Sequence, residues 1–467
     1  MEDRNFLISF SQTQFKEATF IKEDDKEDVY YCLGFTHTYK IQKKLIREVL
    51  NPYEFEVNRG IAHVEPSPEF TCRLYNSIRK ENYDAVIQLH WHKFSQKPEF
   101  SSIDDKCAYL LQEDTQKINP NAMVVQIVFG NNSKYFKARY LTRDGFAYFN
   151  NIEVIGPDGI SILSSNTEKS TTIEIDPIFE KNVLAFTQAG QEKIQNTKVA
   201  VIGAGGIGSG ILYQMARIGF QDVIIIDSDF ISANNCNRLF FVENLKKERG
   251  KLKAKFMAEA FKRFNPKAKA RYLIGNAQDD NAQELLKGTD LIVLSVDNDP
   301  IRAVINSFAA RYAKPLVNVA TGIFMDKEGN KIKNAGTQIQ WFLPREADYP
   351  CLKCQGSLNQ KQIQKALMDE SQKENRKEAG YISNTIISPE PQVMPLNGIG
   401  ISIAMWQVCC WITGIKRPEP WTYYDAMKNK IINIQVKQNP DCSCCGLNEL
   451  SVLATGDYKH ELICSKP

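Results

Sequence analysis

Residues 203–208 read Gly-Ala-Gly-Gly-Ile-Gly, directly after a strand-like run and before a helix-like run. Glycines let the backbone approach a phosphate group, and the free N–H groups at a helix N-terminus favour its negative charge. The pattern therefore predicts a nucleotide site that uses Gly203, Gly205, Gly206 and Gly208.

Acidic, amide and basic residues follow this loop in a larger set than a dehydrogenase needs. Asp227 closes the second strand, where a carboxylate can bind a ribose hydroxyl, and a dehydrogenase pattern would end there. This sequence continues with Asp229, Asn235, Arg238, Lys253 and Asp297. The cations suit a triphosphate and the acids suit Mg²⁺. Each residue alone also has an ordinary interpretation, because surface Lys and Arg are common and Asp297-Asn298 could cap a helix.

Four cysteines form two Cys-x-x-Cys pairs that are far apart in the chain: Cys351, Cys354, Cys442 and Cys445. Two such pairs are typical of a tetrahedral structural Zn²⁺ site that is closed to substrate. Folding brings the pairs together, so the metal would tie the end of the chain to its core. The alternative is four free thiols in loops, with Cys444 as an additional neighbour.

Two of the five histidines, His90 and His92, lie two residues apart in a strand-like run. Alternate residues of a strand point to the same face, so the two rings should converge. Ser101 and Asp104 follow in Ser-x-x-Asp spacing, and Glu27 lies upstream in an acidic stretch. The sequence thus gathers histidine, serine and acidic side chains within its first quarter.

The elements that must position these groups divide the chain into parts. With 467 residues, the chain is too long for one ordinary core, so two or three domains are expected. Residues 28–163 alternate β-rich runs with helical stretches, which predicts a small α/β domain. Residues 164–176 are polar and short of aliphatic side chains, as in a linker. We therefore divide the chain into residues 1–163, 164–176 and 177–467.

Five near-continuous apolar runs after residue 177 indicate buried strands: KVAVIG, DVIIID, ARYLIG, DLIVLSV and KPLVNVA. Strands of this kind belong to parallel sheets that are covered on both faces. The predicted fold is therefore α/β, with a doubly wound Rossmann-like sheet. The apolar residues 399–412 are interrupted by Ser402 and Gln407 and are too short to span a bilayer, so they predict a buried helix.

The overall composition excludes some classes of partner. Hydrophobic residues make up 43% of the chain and charged residues 24%, values typical of a soluble globular protein, and the net charge is +3. The N-terminus MEDRNFLISF is acidic where a secretory signal would be basic and then apolar. We therefore expect a cytoplasmic protein with no nucleic-acid and no membrane partner.

Residues 179–448 resemble the ThiF/MoeB/HesA-type adenylating family, which includes ubiquitin-activating enzymes and the enzymes that activate sulfur-carrier proteins. The resemblance rests on an ordered set of segments: AGQEKIQNTKVAVIGAGGIGSG, IDSDFISANNCNR, GKLKAK, SVDNDPIRAVIN, PCLKC, VMPLNGIGISIAMWQ and DCSCCG. The family uses ATP to adenylate the C-terminal glycine of a small β-grasp protein. The resemblance therefore implies ATP and Mg²⁺ as cofactors and a ubiquitin-like or sulfur-carrier protein as partner.

The resemblance also implies a role for each matched residue. Asp229 would hold the ribose or the metal shell, and Asn235 and Arg238 would bind the phosphates. Lys253 would meet the developing charge, and Asp297 would bind Mg²⁺. Cations help this reaction because a carboxylate and an α-phosphate must meet and pyrophosphate must leave.

Two further matches concern partners. Lys181 takes the position of an arginine that family members supply across a homodimer, but a lysine lacks the planar fork of arginine. Ubiquitin-activating enzymes with a full cycle carry a nucleophilic cysteine after the first zinc pair, whereas this sequence has no cysteine between Cys354 and Cys409. We therefore expect a homodimer that forms no thioester of its own and passes the acyl group to a separate conjugating protein or a sulfur donor.

The histidine region resembles the JAB/MPN (JAMM) metalloprotease family, which cleaves peptide or isopeptide bonds at ubiquitin-like C-termini. The resemblance implies that His90, His92 and Asp104 bind Zn²⁺ and leave a position for water. Glu27 would be the general base, and Ser101 would stabilise the oxyanion.

Two departures from the JAB/MPN pattern leave an alternative open. Lys93 stands where the family usually has proline, and the spacing from histidine to serine is one residue longer. A JAB-like domain with these departures could bind a partner without cleaving it.

Together, the two resemblances predict an enzyme that adenylates the C-terminal glycine of a ubiquitin-like protein and also trims or deconjugates that protein. One alternative is adenylation of a peptide or a small-molecule carboxylate. The other is a non-catalytic module that binds nucleotide or a ubiquitin-like protein.

Overall fold

A computed structural model describes residues 6–60, 63–131, 135–165, 175–326, 328–360, 362–363 and 391–458. Its N-terminal part alternates strands and helices as predicted: β1 (Phe6–Ser11), α1 (Gln12–Ala18), β2 (Val29–Tyr39), β3 (Ile41–Leu50), β4 (Val57–Arg59), β5 (Val64–Pro66), α2 (Pro68–Glu81), β6 (Ala85–His92), α3 (Ser102–Ile118), β7 (Met123–Gly130), β8 (Phe136–Thr142), β9 (Gly145–Phe149), β10 (Asn151–Gly156) and β11 (Gly159–Ser164). Nine of these strands form one mixed sheet in the order β11-β10-β1-β3-β2-β6-β7-β8-β9, and β4 pairs with β5.

The alternation of side chains along β6 sets the direction of its histidines. Ile87, Leu89 and Trp91 are fully buried in one hydrophobic core. Val86 packs in a second core on the other face of the sheet, together with residues of α2. Because alternate residues share a face, His90 and His92 lie on this second face. The predicted convergence of the two histidines is thus built into the register of the strand.

The C-terminal part contains the predicted parallel strands and a longer sheet around them. Its elements are α4 (Glu180–Asn196), β12 (Lys198–Ile202), α5 (Gly206–Ile218), β13 (Asp222–Ile226), α6 (Leu245–Glu248), α7 (Lys253–Phe264), β14 (Lys269–Leu273), α8 (Asp280–Lys287), β15 (Leu291–Leu294), α9 (Asp299–Arg311), β16 (Leu316–Met325), β17 (Ile332–Phe342), α10 (Met394–Thr413), β18 (Trp421–Asp425) and β19 (Lys430–Asn433). The strand order is β14-β13-β12-β15-β16-β17-β18-β19. The first five strands in this order are parallel to one another, and β17, β18 and β19 each pair antiparallel with the strand before them.

The parallel strands are buried on both faces, as their apolar runs predict. On β12, Val199 and Val201 pack in one core, which also contains residues of α5, α7 and α10. Ala200 and Ile202 pack in another core with residues of α8 and α9. The doubly wound arrangement is therefore confirmed. The strand order reverses between β12 and β15, and ligands of such sheets bind outside the carboxyl ends of the strands at this point.

Helix α10 contains the apolar stretch for which a buried helix was predicted. By length and composition alone it could cross a bilayer, but 61% of its most apolar 18-residue stretch is buried inside the protein. It packs against α4, α5, β16 and β17. The prediction of a buried core helix is confirmed, but the expectation that the stretch is too short to span a bilayer is wrong, because the helix extends over 20 residues from Met394 to Thr413 rather than from 399 to 412.

The two parts of the chain contact each other directly through arginine side chains. Arg345, after β17, donates from Nη1 to the carbonyl oxygens of Ser9 (2.7 Å) and Ile46 (3.2 Å). Arg47, on β3, is 5% exposed and donates to three carbonyl oxygens near the C-terminus, those of Asn448, Ser451 and Leu453. Each part therefore satisfies backbone groups of the other.

The proposed linker, residues 164–176, lies mostly outside the described residues, because its positions 166–174 are not among them. On its two sides, β11 ends at Ser164 and a short 3₁₀ turn, Pro177–Phe179, leads into α4. The division into residues 1–163, 164–176 and 177–467 remains a prediction.

Candidate functional sites

The glycine loop joins β12 to α5 by a turn that needs glycine at specific positions. Gly203 has φ +89°, and a Cβ there would lie 2.9 Å from the carbonyl oxygen of Ser295. At Gly208, a Cβ would lie 1.8 Å from the carbonyl oxygen of Gly203. Gly203 and Gly208 therefore let the loop and the helix pack closely, while Gly205 and Gly206 form the start of α5.

A cavity of about 930 Å³ opens at the carboxyl ends of the parallel strands. Nine of the residues assigned to the nucleotide from the sequence line it: Gly203, Gly205, Gly206, Asp227, Asp229, Asn235, Arg238, Lys253 and Asp297. Gly208 packs behind the loop instead. Lys181 lies exposed in the first turn of α4 and does not line this cavity, so its role across a dimer stays a prediction.

Two acids at the end of β13 organise the loop and a lysine. The carboxylate of Asp227 accepts hydrogen bonds from the backbone N–H groups of Ala204 (2.6 Å) and Asp229 (2.7 Å), and burial raises its pKa. Asp229 accepts from Nζ of Lys253 at 2.8 Å, and Lys253 is 6% exposed. Asp227 therefore fixes the glycine loop, whereas Asp229 fixes the cation at the start of α7.

Arg238 lies on a loop that is held by its own hydrogen bonds. Its Nη1 donates to the carbonyl oxygen of Asn234 (2.6 Å) and to Oδ1 of Asn237 (3.2 Å), and Oδ1 of Asn235 accepts from the N–H of Ser232 (3.0 Å). The buried Nε of Arg238 has no hydrogen-bond partner among the described residues. Arg238 also lines the cavity, so its positive charge lies beside any anion bound there.

Asp297 and Asn298 are adjacent in the chain but have different surroundings. Oδ1 of Asn298 accepts from the N–H of Ile301 at 3.1 Å and caps α9, which is the ordinary structural interpretation. Asp297 lines the cavity, as a metal-binding acid would. Asn298 therefore positions the helix, and the Mg²⁺ role of Asp297 stays a prediction.

Several residues of the cavity were not identified from the sequence. Thr321, Asn334, Thr337 and Tyr423 line it from β16, β17 and β18. They come from β16 and from the antiparallel strands beyond it, in which no motif marks the residues that face the cavity. Asn397 is fully buried beside it, accepts from Oγ1 of Thr321 at 2.7 Å, and would contact a Cβ at Gly206. It lies within the VMPLNGIGISIAMWQ segment, so the resemblance included this position, but the sequence did not indicate its role.

The cysteine cluster consists of Cys351, Cys354, Cys442 and Cys445, and the fold brings all four together. Their sulfur atoms lie within 4.8 Å of one another, with Sγ–Sγ distances of 3.7 Å from Cys351 to Cys442 and 3.6 Å from Cys354 to Cys445. Sulfur atoms tetrahedrally arranged around one zinc ion would lie about 3.8 Å apart. The four thiols therefore fit a structural Zn²⁺ site.

Neighbouring groups around the cysteine cluster support the same assignment. Backbone N–H groups of Asn439 and Cys444 point to the sulfur atoms of Cys354 and Cys442, at 3.5 Å and 3.4 Å. Such contacts stabilise thiolates that bind a metal. Cys444 itself is not part of the group and contacts Asn306 instead, as expected for a mere neighbour.

The histidine cluster consists of His90, His92 and Asp104, whose ligand atoms also lie within 4.8 Å of one another. Nε2 of His90 is 3.2 Å from Oδ1 of Asp104, and Nε2 of His92 is 3.9 Å from Oδ2. Burial lowers the pKa of His92. A neutral imidazole beside a carboxylate is the donor set that zinc prefers.

Glu27 lies beside the histidine cluster, with Oε1 at 3.8 Å from Nε2 of His92. Burial raises its pKa to about 7, which suits a general base near neutral pH. Lys93 anchors the loop that carries Glu27, because its Nζ contacts Asp28 at 2.8 Å and Asp24 at 3.2 Å. The lysine that departs from the family pattern therefore stabilises the position of the expected base.

Ser101 has a structural role at the start of α3. Its hydroxyl accepts from the N–H of Asp104 at 3.3 Å, and its backbone N–H donates to Oδ2 of Asp104 at 2.6 Å, which together form a capping box. The hydroxyl also donates to the same Oδ2 at 2.8 Å. The same carboxylate therefore caps the helix and faces the two histidines. The oxyanion role of Ser101 remains a prediction.

Comparison with known proteins matches the model of the ThiF family to residues 179–444, which is more than half of the chain. The SAMP-activating enzyme E1 of Haloferax volcanii is 24% identical over 269 residues, which cover 58% of this chain and 87% of that protein. The molybdopterin-synthase adenylyltransferase of Salmonella typhimurium is 24% identical over 264 residues, which cover 56% and 92%. The matched region spans less than half of the length of three further relatives, at 24%, 29% and 46%.

Among solved structures, E. coli MccB with ATP is 20% identical and has a TM-score of 0.46. The superposition covers 58% of this chain and 75% of that one.

Proposed function

This chain belongs to the ThiF family, and on that premise we propose that it adenylates the C-terminal glycine of a ubiquitin-like or sulfur-carrier protein. The observation that carries the proposal is the cavity in which Arg238, Lys253 and Asp297 surround the glycine loop. The relatives named above are an E1 that activates SAMP and an adenylyltransferase of molybdopterin synthase, which supports a small protein as the substrate.

The reaction joins a carboxylate oxygen to the α-phosphorus of ATP while the bond to pyrophosphate breaks, giving an acyl-adenylate and pyrophosphate. The N-terminus of α5 and the guanidinium of Arg238 bind phosphate oxygens, and Lys253 offsets the charge that builds up. Mg²⁺ held by Asp297 would neutralise further phosphate charge. The protein's main contribution is therefore positioning and electrostatic stabilisation.

The test is ATP–pyrophosphate exchange with purified full-length protein and a β-grasp protein that ends in glycine. Exchange should require that carboxylate, and Asp297→Ala should reduce it by about 100-fold or more because a metal ligand is lost. Asp280→Ala, an exposed acid on α8 outside the cavity, is the matched control and should behave as wild type.

The same assay separates the alternatives. Equal exchange with a short peptide or a small carboxylate would identify that class as the substrate instead. Nucleotide binding without exchange in the presence of any carboxylate would indicate a non-catalytic module. Wild-type exchange by Asp297→Ala would overturn the assignment of that residue.

After adenylation, the acyl group passes to another molecule in this proposal. Cys409 and Cys410 are buried in α10, at 1% and 2% exposure, and burial raises the pKa of Cys409 to about 12. Neither suits an acyl-accepting thiolate, which needs a low pKa and access. A thiol-sensitive adduct between this chain and its β-grasp substrate on non-reducing gels would contradict this part of the proposal.

We also propose a homodimer, in which Lys181 serves the partner's cavity. Leu184 is 75% exposed on the same turn of α4, and Trp406 is 56% exposed on the neighbouring α10. Burying such apolar side chains favours a symmetric contact. Light scattering at micromolar concentration should give twice the chain mass, and a monomer would argue against the dimer.

A second activity is supported by the histidine cluster. We propose that the N-terminal part is a JAB/MPN-like metalloprotease that cleaves after the C-terminal glycine of the same protein. His90, His92 and Asp104 would hold Zn²⁺, which supplies Lewis-acid chemistry. Glu27 takes a proton from water and can return it to the leaving amine. A β-grasp protein with a reporter fused after its terminal glycine should be cleaved, and a chelator should stop cleavage.

A further inference from the structure

Arg139 lies deep in the N-terminal part, on β8, although its side chain is charged. It is 2% exposed, and its guanidinium lies between the rings of Phe100 and Phe146, at 3.8 Å from each centroid. A buried guanidinium is costly unless hydrogen bonds and ring contacts offset its lost hydration. The contacts of Arg139 therefore indicate which neighbouring groups it positions.

The hydrogen bonds of Arg139 converge on the first turn of α3. Nε and Nη2 donate to Oε1 of Gln126 at 3.0 Å and 2.7 Å, and Nη1 donates to Oδ1 of Asp105 at 2.6 Å. Nε2 of Gln126 in turn donates to the backbone carbonyl of Asp104 at 3.2 Å and to Oε1 of Gln88 at 2.8 Å. Two adjacent residues of the helix are thus tied to one arginine.

One of these two residues belongs to the histidine cluster. The capping box with Ser101 fixes the carboxylate of Asp104 from one side, and the chain through Gln126 fixes its backbone from another. Phe100, which packs on Arg139, also contacts the ring of His90 at a centroid distance of 6.1 Å. Arg139 therefore touches the supports of a carboxylate and of an imidazole in the same cluster.

We propose that Arg139 is a positioning residue for the histidine cluster, acting through Gln126, Asp105 and Phe100 without contacting metal or substrate. The proposal rests on the metalloprotease function proposed above. It goes further by placing the control of metal affinity in a charged network on β7, β8 and α3. Outer groups of this kind orient ligands, and their loss typically lowers metal affinity about 10- to 100-fold.

The experiment measures the Zn²⁺ affinity of the full-length protein by competition with a chromogenic chelator. Arg139→Met keeps the length of the side chain but removes its donors and charge. We expect it to weaken the binding of the zinc that depends on His92 by at least about tenfold. The zinc held by the cysteine cluster should be retained, which serves as an internal control for folding.

A second pair of variants keeps the test valid where Arg139→Met fails to fold. The side chain of Asp105 is 46% exposed, so its replacement is tolerated more easily. Asp105→Ala removes the tether between Arg139 and α3 and should weaken zinc binding, whereas Asp105→Asn keeps an oxygen acceptor and should restore most of the affinity. If Arg139 had a purely structural role, Asp105→Ala and Asp105→Asn would not differ in zinc affinity when their thermal stabilities are equal.

The outcomes distinguish the two proposals. Wild-type zinc affinity in Arg139→Met, or equal affinity in Asp105→Ala and Asp105→Asn, would overturn the positioning role while leaving the metalloprotease proposal intact. A wild-type protein whose only zinc depends on Cys351 would overturn the metalloprotease proposal, and the positioning role with it.

Discussion

The cysteine cluster and the histidine cluster differ in how much of a metal's surroundings the protein supplies. The cysteine cluster offers four sulfur atoms, three of them on buried residues. The histidine cluster offers three ligand atoms, and the side chains of His92 and Asp104 remain 21% and 15% exposed. Four protein ligands close a zinc site, whereas three leave room for water or substrate. Ligand number and exposure therefore favour a structural role for one cluster and a chemical role for the other.

The two clusters also differ in what they connect. The cysteine cluster joins residues 351–354 to residues 442–445, and the chain then runs on to the carbonyl groups that Arg47 binds. The histidine cluster lies within one part of the chain, on β6 and the first turn of α3, both of which are stabilised by their own packing. Loss of metal should therefore affect the fold at the first cluster and the chemistry at the second.

The largest expected effect is on stability, from Cys351→Ser. Its zinc should be lost, and the free energy of unfolding should fall by roughly 5 kcal/mol or more, because structural zinc contributes strongly to folding. Metal analysis and chemical denaturation measure both quantities. Cys444→Ala, which alters a buried neighbour that is not a ligand, should keep its zinc. Equal zinc content in Cys351→Ser and wild type would show that the cysteine cluster does not bind zinc.

The next effect is on activity, from His92→Ala. Cleavage of the reporter fusion should fall by about 100-fold or more, because a ligand of the proposed catalytic zinc is lost. Thermal stability should change little, since His92 is partly exposed and at the end of β6. Loss of both zinc ions, or a melting temperature as low as that of Cys351→Ser, would contradict the division of roles.

A smaller effect is expected from Arg47→Met, which tests how the segment after the cysteine cluster is held. Three carbonyl groups would lose their donor, so stability should fall by about 2 to 4 kcal/mol. Arg417→Met is the control at the same interface, because its ion pair with Asp158 is more than half exposed on the arginine side. That control should cost less than about 1 kcal/mol. Similar losses in both variants would mean that burial of Arg47 is unimportant.

The smallest effect is expected from Lys93→Met, in the loop beside the histidine cluster. Its Nζ donates to the backbone carbonyls of Lys22 at 2.9 Å and Asp24 at 3.0 Å, and both hydrogen bonds would be lost. Arg59 still pairs with Asp28, so stability should fall by only about 1 to 2 kcal/mol. Reporter cleavage should fall more than in Lys26→Met, an exposed control on the same loop. Unchanged cleavage in Lys93→Met would show that the position of Glu27 does not depend on the contacts of Lys93.

The sequence predicted those features that depend on local pattern. The five parallel strands could be identified because burial on both faces demands continuous apolar runs. The glycine loop and the two cysteine pairs could be identified because their spacing is tied to one geometry. Nine residues of the cavity followed from the glycine loop, from the acid at the end of the second strand and from the segments that resemble the ThiF family.

Features that depend on long-range packing could not be predicted in this way. The antiparallel strands β17 to β19 bring Thr337 and Tyr423 to the cavity, but side-chain alternation does not indicate which strand they pair with. Arg139 appeared as an ordinary charge in a β-rich run, since its partners are 13 and 34 residues away. Asp227 could be identified as the end of a strand, but not as an acceptor for the glycine loop.

The contacts of Arg345 and Arg47 bear on how such a chain can be rearranged by recombination. Each guanidinium is paired with main-chain carbonyls of the other part, and a foreign domain would have to present carbonyls at the same places. A fusion partner that covered these arginines without such carbonyls would leave buried donors unsatisfied, at a cost of about 1 to 3 kcal/mol for each donor. The two parts are therefore expected to be inherited together, and exchange of one part for an unrelated domain should be selected against because it destabilises the fold.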